Sequence, residues 1–266
     1  MKIKFKFLIF PFLFFLGFPT HAQTDFCNTK NNVVKAGETI NFKVYYNLSA
    51  IWVGAGEANF TTYATKYKGK DAFHIVGDGR TYSSYDWIFK VRDKYETYLD
   101  AETLLPLVFK RDVNEGGYKF TNFVVFDRPT NKAYSNKKSF NVSDCIQDVL
   151  SAIYYARNID YNKLKAGTKI PFDLFLDDEI YSLYIRYHGK EKITTKYGTF
   201  NAIKLSPLLI KGTIFEGGEK MTIWVSDDEN HIPLRIDSPI LVGSIKVDMM
   251  GYSNLRYPLK SLIKKK

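Results

Sequence analysis

The sequence predicts an all-β protein, a large antiparallel β-barrel or sandwich of two meander-like halves around one mid-chain helix at about 144–158. Three observations predict it. Apolar and polar residues alternate with period two over one short run after another. Clusters of Gly, Asn, Asp and Lys separate those runs. A single segment, from Ile146 onward, changes to the helical period. At 45% hydrophobic and 25% charged over 266 residues, the chain can bury a sizeable core and is neither disordered nor fibrous.

The first 22 residues read as an export signal. Lys2, Lys4 and Lys6 form a basic head, the apolar run Phe7 to Phe18 follows, and Thr20-His21-Ala22 presents small residues for cleavage between Ala22 and Gln23. The run is too short to span a bilayer, and no later run reaches 18 apolar residues. Thr24-Asp25-Phe26 before Cys27 does not suit lipidation, which needs small residues there. A soluble protein exported to an oxidising compartment is expected. In that oxidising compartment the two cysteines, Cys27 and Cys145, are expected to pair. The bond would close 119 residues (145 − 27 + 1), worth about 4–5 kcal/mol in the chain-entropy picture. There is no C-x-x-C and no metal-ligand spacing among His74, His188 and His231.

The strands follow in order within one β-rich domain, 23–259, with halves at about 33–143 and 159–258. Ile40, Phe42, Val44 and Tyr46 share one face of the first run; Tyr118, Phe120, Val124 and Phe126 share one face of another, interrupted by Asn122. The same alternation returns at Tyr181, Leu183, Ile185 and Tyr187, at Met221, Ile223 and Val225, and at Ile245, Val247 and Met249. Lys68-Gly69-Lys70-Asp71, Glu115-Gly116-Gly117, Tyr197-Gly198 and Asp227-Asp228-Glu229-Asn230 mark turns. The helix carries its apolar stripe at Ile146, Val149, Leu150, Ile153 and Tyr154. Asp144 is the expected cap, with Gln147 in the capping-box position and Arg157 in the last turn. A weak repeat relates Tyr95–Thr121 to Tyr197–Thr222, at an offset of 102 and then 101 residues. It suggests that the halves are related, each with a Glu-Gly-Gly hairpin.

Four segments in order carry a resemblance. They are Gly37-Glu38 leading into Phe42–Tyr46, then Trp52-Val-Gly-Ala-Gly-Glu-Ala58, then Asp148–Arg157, then Trp224–Ile236 followed by Val242–Ile245. Together they resemble the exported bacterial proteins grouped as domain-of-unknown-function 3108. The resemblance implies a β-rich envelope protein of Gram-negative bacteria with no settled activity, so no catalytic residue is carried over. Read physically, Gly54 and Gly56 inside a strand predict a bulge or a close backbone approach, with Glu57 facing solvent. The sharper expectation for the tryptophans is that Trp52, Trp87 and Trp224 line a common ligand cavity.

Catalytic patterns are thin. There is no G-x-S-x-G, no H-E-x-x-H and no phosphate-cradling glycine loop. Asp177-Asp178-Glu179 and Asp227-Asp228-Glu229 are candidate paired carboxylates or calcium turns, but acidic triplets at strand ends more often form solvated turns. No cofactor and no metal is expected. The formal charge of +10 falls to +7 once three lysines leave with the signal (10 − 3). It falls to about +3 when Lys260, Lys264, Lys265 and Lys266 of the basic tail 260–266 are set aside (7 − 4). Without a basic stripe, nucleic acid is not an expected partner; the tail can touch anionic lipid. An integral outer-membrane barrel is disfavoured, because many strands are short or polar on both faces. Three functions remain. The first is a non-enzymatic envelope protein binding an apolar or amphipathic ligand in a barrel interior. The others are an interaction module docking on an envelope partner and a carboxylate enzyme acting on envelope glycan.

Overall fold

A computed structural model describes residues 29–48, 51–211 and 217–266; the export signal, its cleavage position at Ala22 and Gln23, and Cys27 lie outside these residues. Eight strands come first: β1 (Thr39–Leu48), β2 (Ile51–Tyr67), β3 (Lys70–Thr81), β4 (Arg92–Asp100), β5 (Pro106–Glu115), β6 (Tyr118–Asp127), β7 (Lys132–Ser135) and β8 (Lys138–Asn141). A one-turn helix, α1 (Asp86–Phe89), interrupts them between β3 and β4. The mid-chain helix α2 (Val149–Ala156) follows. A second run comprises β9 (Lys169–Leu176), β10 (Glu179–Thr194), β11 (Gly198–Pro207), β12 (Thr222–Ser226), β13 (Pro233–Pro239) and β14 (Ser244–Ser253), with a short β15 (Leu262–Lys265) at the end.

The fifteen strands among the described residues form one sheet. Each run is an antiparallel meander, and β14 returns to pair with β1 from Thr39↔Ser253 to Asn47↔Ser244. The predicted all-β class and its two meander-like halves are therefore present as a single curled sheet. Its free edges, β8 and β9, meet at a seam. Gln147 N–H donates to the Asp173 carbonyl at 2.9 Å and the Gln147 carbonyl accepts from Phe175 N–H at 2.9 Å. Phe126 and Phe140 pack on Phe175, with ring centroids 6.1 and 5.2 Å away. The Ser143 hydroxyl donates to Asp173 at 3.0 Å. One bridge and a packed aromatic cluster thus close the barrel where a ladder does not.

The interior is filled by the chain's own helix. Leu150, Tyr154 and Tyr155 of α2 share one buried cluster with Ile75 and Leu99 from one wall and with Ile170, Ile185 and Ile203 from the opposite wall. A helix touching both walls occupies the space between them.

The helix begins later than its apolar stripe predicts. Asp148, not Asp144, is the N-cap, and Ser151, not Gln147, completes the capping box. The cause is the seam: Gln147 is committed to β9, so the backbone before Asp148 stays extended. Ile146 is fully buried outside the helix, while Ile153 points outward. The repeat does not map onto equivalent elements either. Tyr95–Tyr98 lie within β4 and Pro106 opens β5, whereas Gly198 and Pro207 are the start and end of one strand, β11. The basic tail is likewise not wholly free. Lys264 and Lys265 pair with Thr199 and Gly198 of β11, and Leu262 packs on the cluster around Phe200.

Candidate functional site

In an antiparallel meander, alternate connections emerge at the same end. The β1–β2, β3–β4, β5–β6, β7–β8, β9–β10, β11–β12 and β13–β14 connections therefore share one rim, and the opposite rim holds the turns next to the α2 C-terminus. The two rims differ in chemistry. The first displays large apolar side chains: Ile51 is 70% exposed, Trp87 82% and Val242 64%, with Trp52, Ile88, Phe89, Tyr118 and Leu241 also exposed.

Local structure explains the display. On β1–β2 the register shifts between Val44 and Tyr45, opposite Ala55. This is the bulge that Gly54 and Gly56 predict. The Lys43 stem crosses Gly54 so closely that a Cβ there would lie 2.6 Å from Lys43 Cε, and one on Gly56 would lie 2.4 Å from the Arg80 carbonyl oxygen. The unladdered Ala55 carbonyl accepts Tyr82 N–H at 2.9 Å, which starts the β3–β4 excursion. Within that excursion Asp86 is tied down, accepting from Thr81 Oγ1 at 2.8 Å and from Arg92 Nη2 at 2.7 Å. Trp87 and Ile88 are left outside, while Phe89 lies against Gly116 of the next turn. The Trp87 indole N–H donates to the Ser84 carbonyl at 3.0 Å. On the neighbouring tip, Tyr46 Oη donates to the Val242 carbonyl at 3.0 Å and its ring closes over Gly243.

Charges of both signs stand on and beside this rim, with Asp177 and Asp178 in the β9–β10 turn and Lys90 at the end of the β3–β4 excursion. Lys246 Nζ sits 4.3 Å from the Trp52 ring centroid, and Lys43 Nζ lies 5.6 Å from Tyr45 and 6.0 Å from Tyr82. Glu115, next to Gly116, is pushed up to about 7 by burial and then by its hydrogen bond to Asp93 and that residue's charge. Much of it is therefore uncharged near neutrality.

The three predicted tryptophans do not share a cavity. Trp52 and Trp87 stand on the apolar rim, but Trp224 lies on β12, its Nε1 donating to Glu191 Oε1 at 2.6 Å with Lys204 above its ring. What brings two of them together is the end at which their connections emerge, which composition does not reveal. Trp87 in the uncharged Trp-Ile-Phe triplet was the available signal for the excursion.

At the opposite rim a cleft of about 450 Å³ is lined by Arg157, Asn158, Asp227, Glu229, His231 and Tyr257, among others. Arg157 makes a bidentate pair with Glu38, at 2.6 and 2.8 Å, with side chains only 3% and 1% exposed. Its carbonyl accepts from His231 Nδ1 at 2.7 Å, and burial lowers the His231 pKa. The acids here are committed to the fold. Asp228 accepts from Ser226, Asn230 and Ser261, Asp227 pairs with Lys190 at 2.7 Å, and Glu229 pairs with Lys260 at 2.6 Å. The other acidic triplet makes a two-residue hairpin turn, with Asp177 and Asp178 at positive φ. There Asp177 pairs with Arg111, Asp178 accepts from Asn136, and Glu179 accepts from Tyr181. Among the described residues no group of His, Cys, Asp and Glu is arranged to hold a metal ion. No cysteine there is a free thiol.

The fold and the rim together define a barrel-like antiparallel meander plugged by its own helix. The chain belongs to the DUF3108 family, whose model, described as a protein of unknown function, matches residues 41–250. No curated protein matches it. Among solved structures it is similar to a β-barrel-like protein of domain of unknown function DUF1849 from Brucella abortus, at 8% identity and a TM-score of 0.50, over 85% of this chain and 100% of that one. It is also similar to a lipoprotein candidate from Parabacteroides distasonis, at 13% identity and 0.35, over 82% and 96%. A third is an exported-protein candidate with a YmcC-like fold from Bacteroides fragilis, at 14% and 0.31, over 83% and 97%. The first of these likenesses bears on fold alone. No helix among the described residues is long and apolar enough to cross a membrane.

Proposed function

We propose that this is a non-enzymatic, exported envelope protein that works by docking through its apolar rim. The observation that carries the reading is the pairing of a filled interior with an exposed apolar end. α2 takes the space that a barrel ligand would need, while Trp87, Ile88 and Ile51 face solvent where burial would stabilise the fold. The residue pattern of the first 22 positions supports export, and Cys145, which is not a free thiol, supports pairing with Cys27.

Two measurements test the reading. Native mass spectrometry of protein gently purified from periplasm is expected to give a clean apo mass; a stoichiometric co-purifying small molecule returns the function to interior ligand binding. Replacing Trp87, Ile88 and Phe89 together by serine is expected to leave the urea midpoint nearly unchanged, within about 0.5 kcal/mol, and to shift the protein from the envelope-associated to the free fraction of lysed cells. An unchanged distribution removes the docking reading.

A further inference from the structure

We propose that the rim docks on a lipid surface, with the tips around Trp52 and Val242 and the lobe around Trp87 seated in a bilayer that carries anionic headgroups. The inference rests on the docking reading above and names its partner.

The first argument is shape. The six most exposed large apolar side chains among the described residues (Trp87, Ile51, Val242, Ile88, Tyr118 and Leu241) stand on separate connections at one end of the barrel rather than along a groove or a strand edge. Tips of that kind are desolvated together most simply by a broad, deformable surface. A protein partner would need a concave counter-shape reaching each of them.

The second argument is the charge profile along the tips. Residues 51–56 and 239–245 belong to two neighbouring hairpin ends, joined through Asn47↔Ser244, and neither segment contains an ionisable residue. The first charges below them form a collar in which Lys43 and Lys246 stand beside Glu57, paired with Arg80 at 2.6 Å, and Asp237, opposite Lys246 on the neighbouring strand. Lys246 is two residues down β14 from Ser244, about 7 Å at the rise of a strand, and its ammonium covers the inner side of Trp52. Lys43 occupies the same collar on β1, beside Tyr45 and Tyr82. An apolar tip bearing Trp and Tyr, with ammonium groups one headgroup-depth behind it, matches the order of a bilayer interface: acyl boundary, aromatic belt, phosphate. The lysines complement an anionic headgroup layer.

The third argument is satisfaction of polar groups. The Trp87 indole N–H is already bonded to the Ser84 carbonyl, and Asp86 is held by Arg92 and Thr81. The lobe's indole donor and its acid are thus paired within the fold, and its other charge, the exposed Lys90, is a cation of the sign an anionic headgroup layer complements.

The test uses the processed protein from cells expressing the full chain, and vesicles of mixed phosphatidylethanolamine and phosphatidylglycerol. Sedimentation is expected to show partitioning that falls about tenfold or more in the W52S/W87S variant. Partitioning should also fall several-fold in K43Q/K246Q, or when phosphatidylcholine replaces the anionic lipid. In single-tryptophan variants, brominated acyl chains are expected to quench Trp52 and Trp87 and to spare Trp224. Absence of partitioning overturns the lipid inference, as does quenching confined to Trp224. If partitioning is absent while the serine triple variant still leaves the envelope fraction, docking stands and its partner is a protein. A rim-dependent dimer in sedimentation velocity, without lipid binding, gives the rim to a second copy of the chain and overturns the inference too.

Discussion

Glu38 and Arg157 meet in a place almost without water, and that decides how each behaves when replaced. Two charge-assisted hydrogen bonds offset their desolvation only while both are present. Glu38→Ala is expected to lower stability by about 3–5 kcal/mol, because it leaves a buried guanidinium without its anion. Replacing both residues by methionine is expected to cost much less than the sum of the single replacements. A double-mutant cycle from urea midpoints checks this, and additive losses would show the pair to be uncoupled. Asp148 is the other buried acid with a sign to work out. Burial raises it to about 6, against the hydrogen bonds from Ser151 N–H and Thr97 Oγ1. Its folded value thus exceeds the unfolded one of 3.8, so its contribution is complete below pH 3.8 and is lost as pH rises through about 6. The stability of the wild type relative to Asp148→Asn should therefore fall between pH 4 and 6. A difference that stays flat across that window refutes the assignment. The sequence showed Asp148 as part of a motif and Glu38 as a residue after a glycine. That both are buried with partners follows from contacts distant in the chain, Glu38 with Arg157 119 residues on and Asp148 with Thr97 51 residues back.

At the scale of elements, the sequence was most legible where one face of a strand meets the core. Ile40 and Phe42, Val124 and Phe126, Ile185 and Tyr187, and Met249 are all buried, as their alternation predicts. Asn122, which interrupts one run, is buried as well and bonds to Ser135 at 3.3 Å. Alternation weakens toward the strand tips, where Val44 and Tyr46 flank the bulge and are only half-buried and Tyr118 is exposed. There the strands extend beyond the core, and nothing lies opposite for the apolar face to pack against. The C-terminal lysines gave the opposite error, since a run of like charge hides Leu262 and Ser261. Deleting residues 261–266 is expected to cost about 2 kcal/mol. The loss comes from the partly buried Leu262 and from the hydrogen bonds Asn201 N–H to the Ser261 carbonyl and Lys266 N–H to the Tyr197 carbonyl. A urea midpoint unchanged by the deletion would show the tail to be independent of the barrel.

For the whole molecule, closure is the property with the most consequence. Two meanders joined by β1 and β14 leave one seam, and the chain fills it with the segment that leads into α2. The helix thereby enters the interior instead of covering the outside. A Cys27–Cys145 bond would fasten the mature N-terminus beside that same seam. Peptide maps of oxidised and reduced protein are expected to show a Cys27–Cys145 cross-link, and free thiols at both positions would refute it. The sequence by itself determined the β class, the strand faces, the helix and the family, because period, turn chemistry and ordered motifs are local properties of the chain. Only the tertiary structure decided that the interior is plugged, that Trp224 parts company from Trp52 and Trp87, and that the apolar tips gather at one rim. Each of these depends on which strands become neighbours when the sheet closes, and pairing across 100 or 200 residues leaves no periodic trace in the sequence.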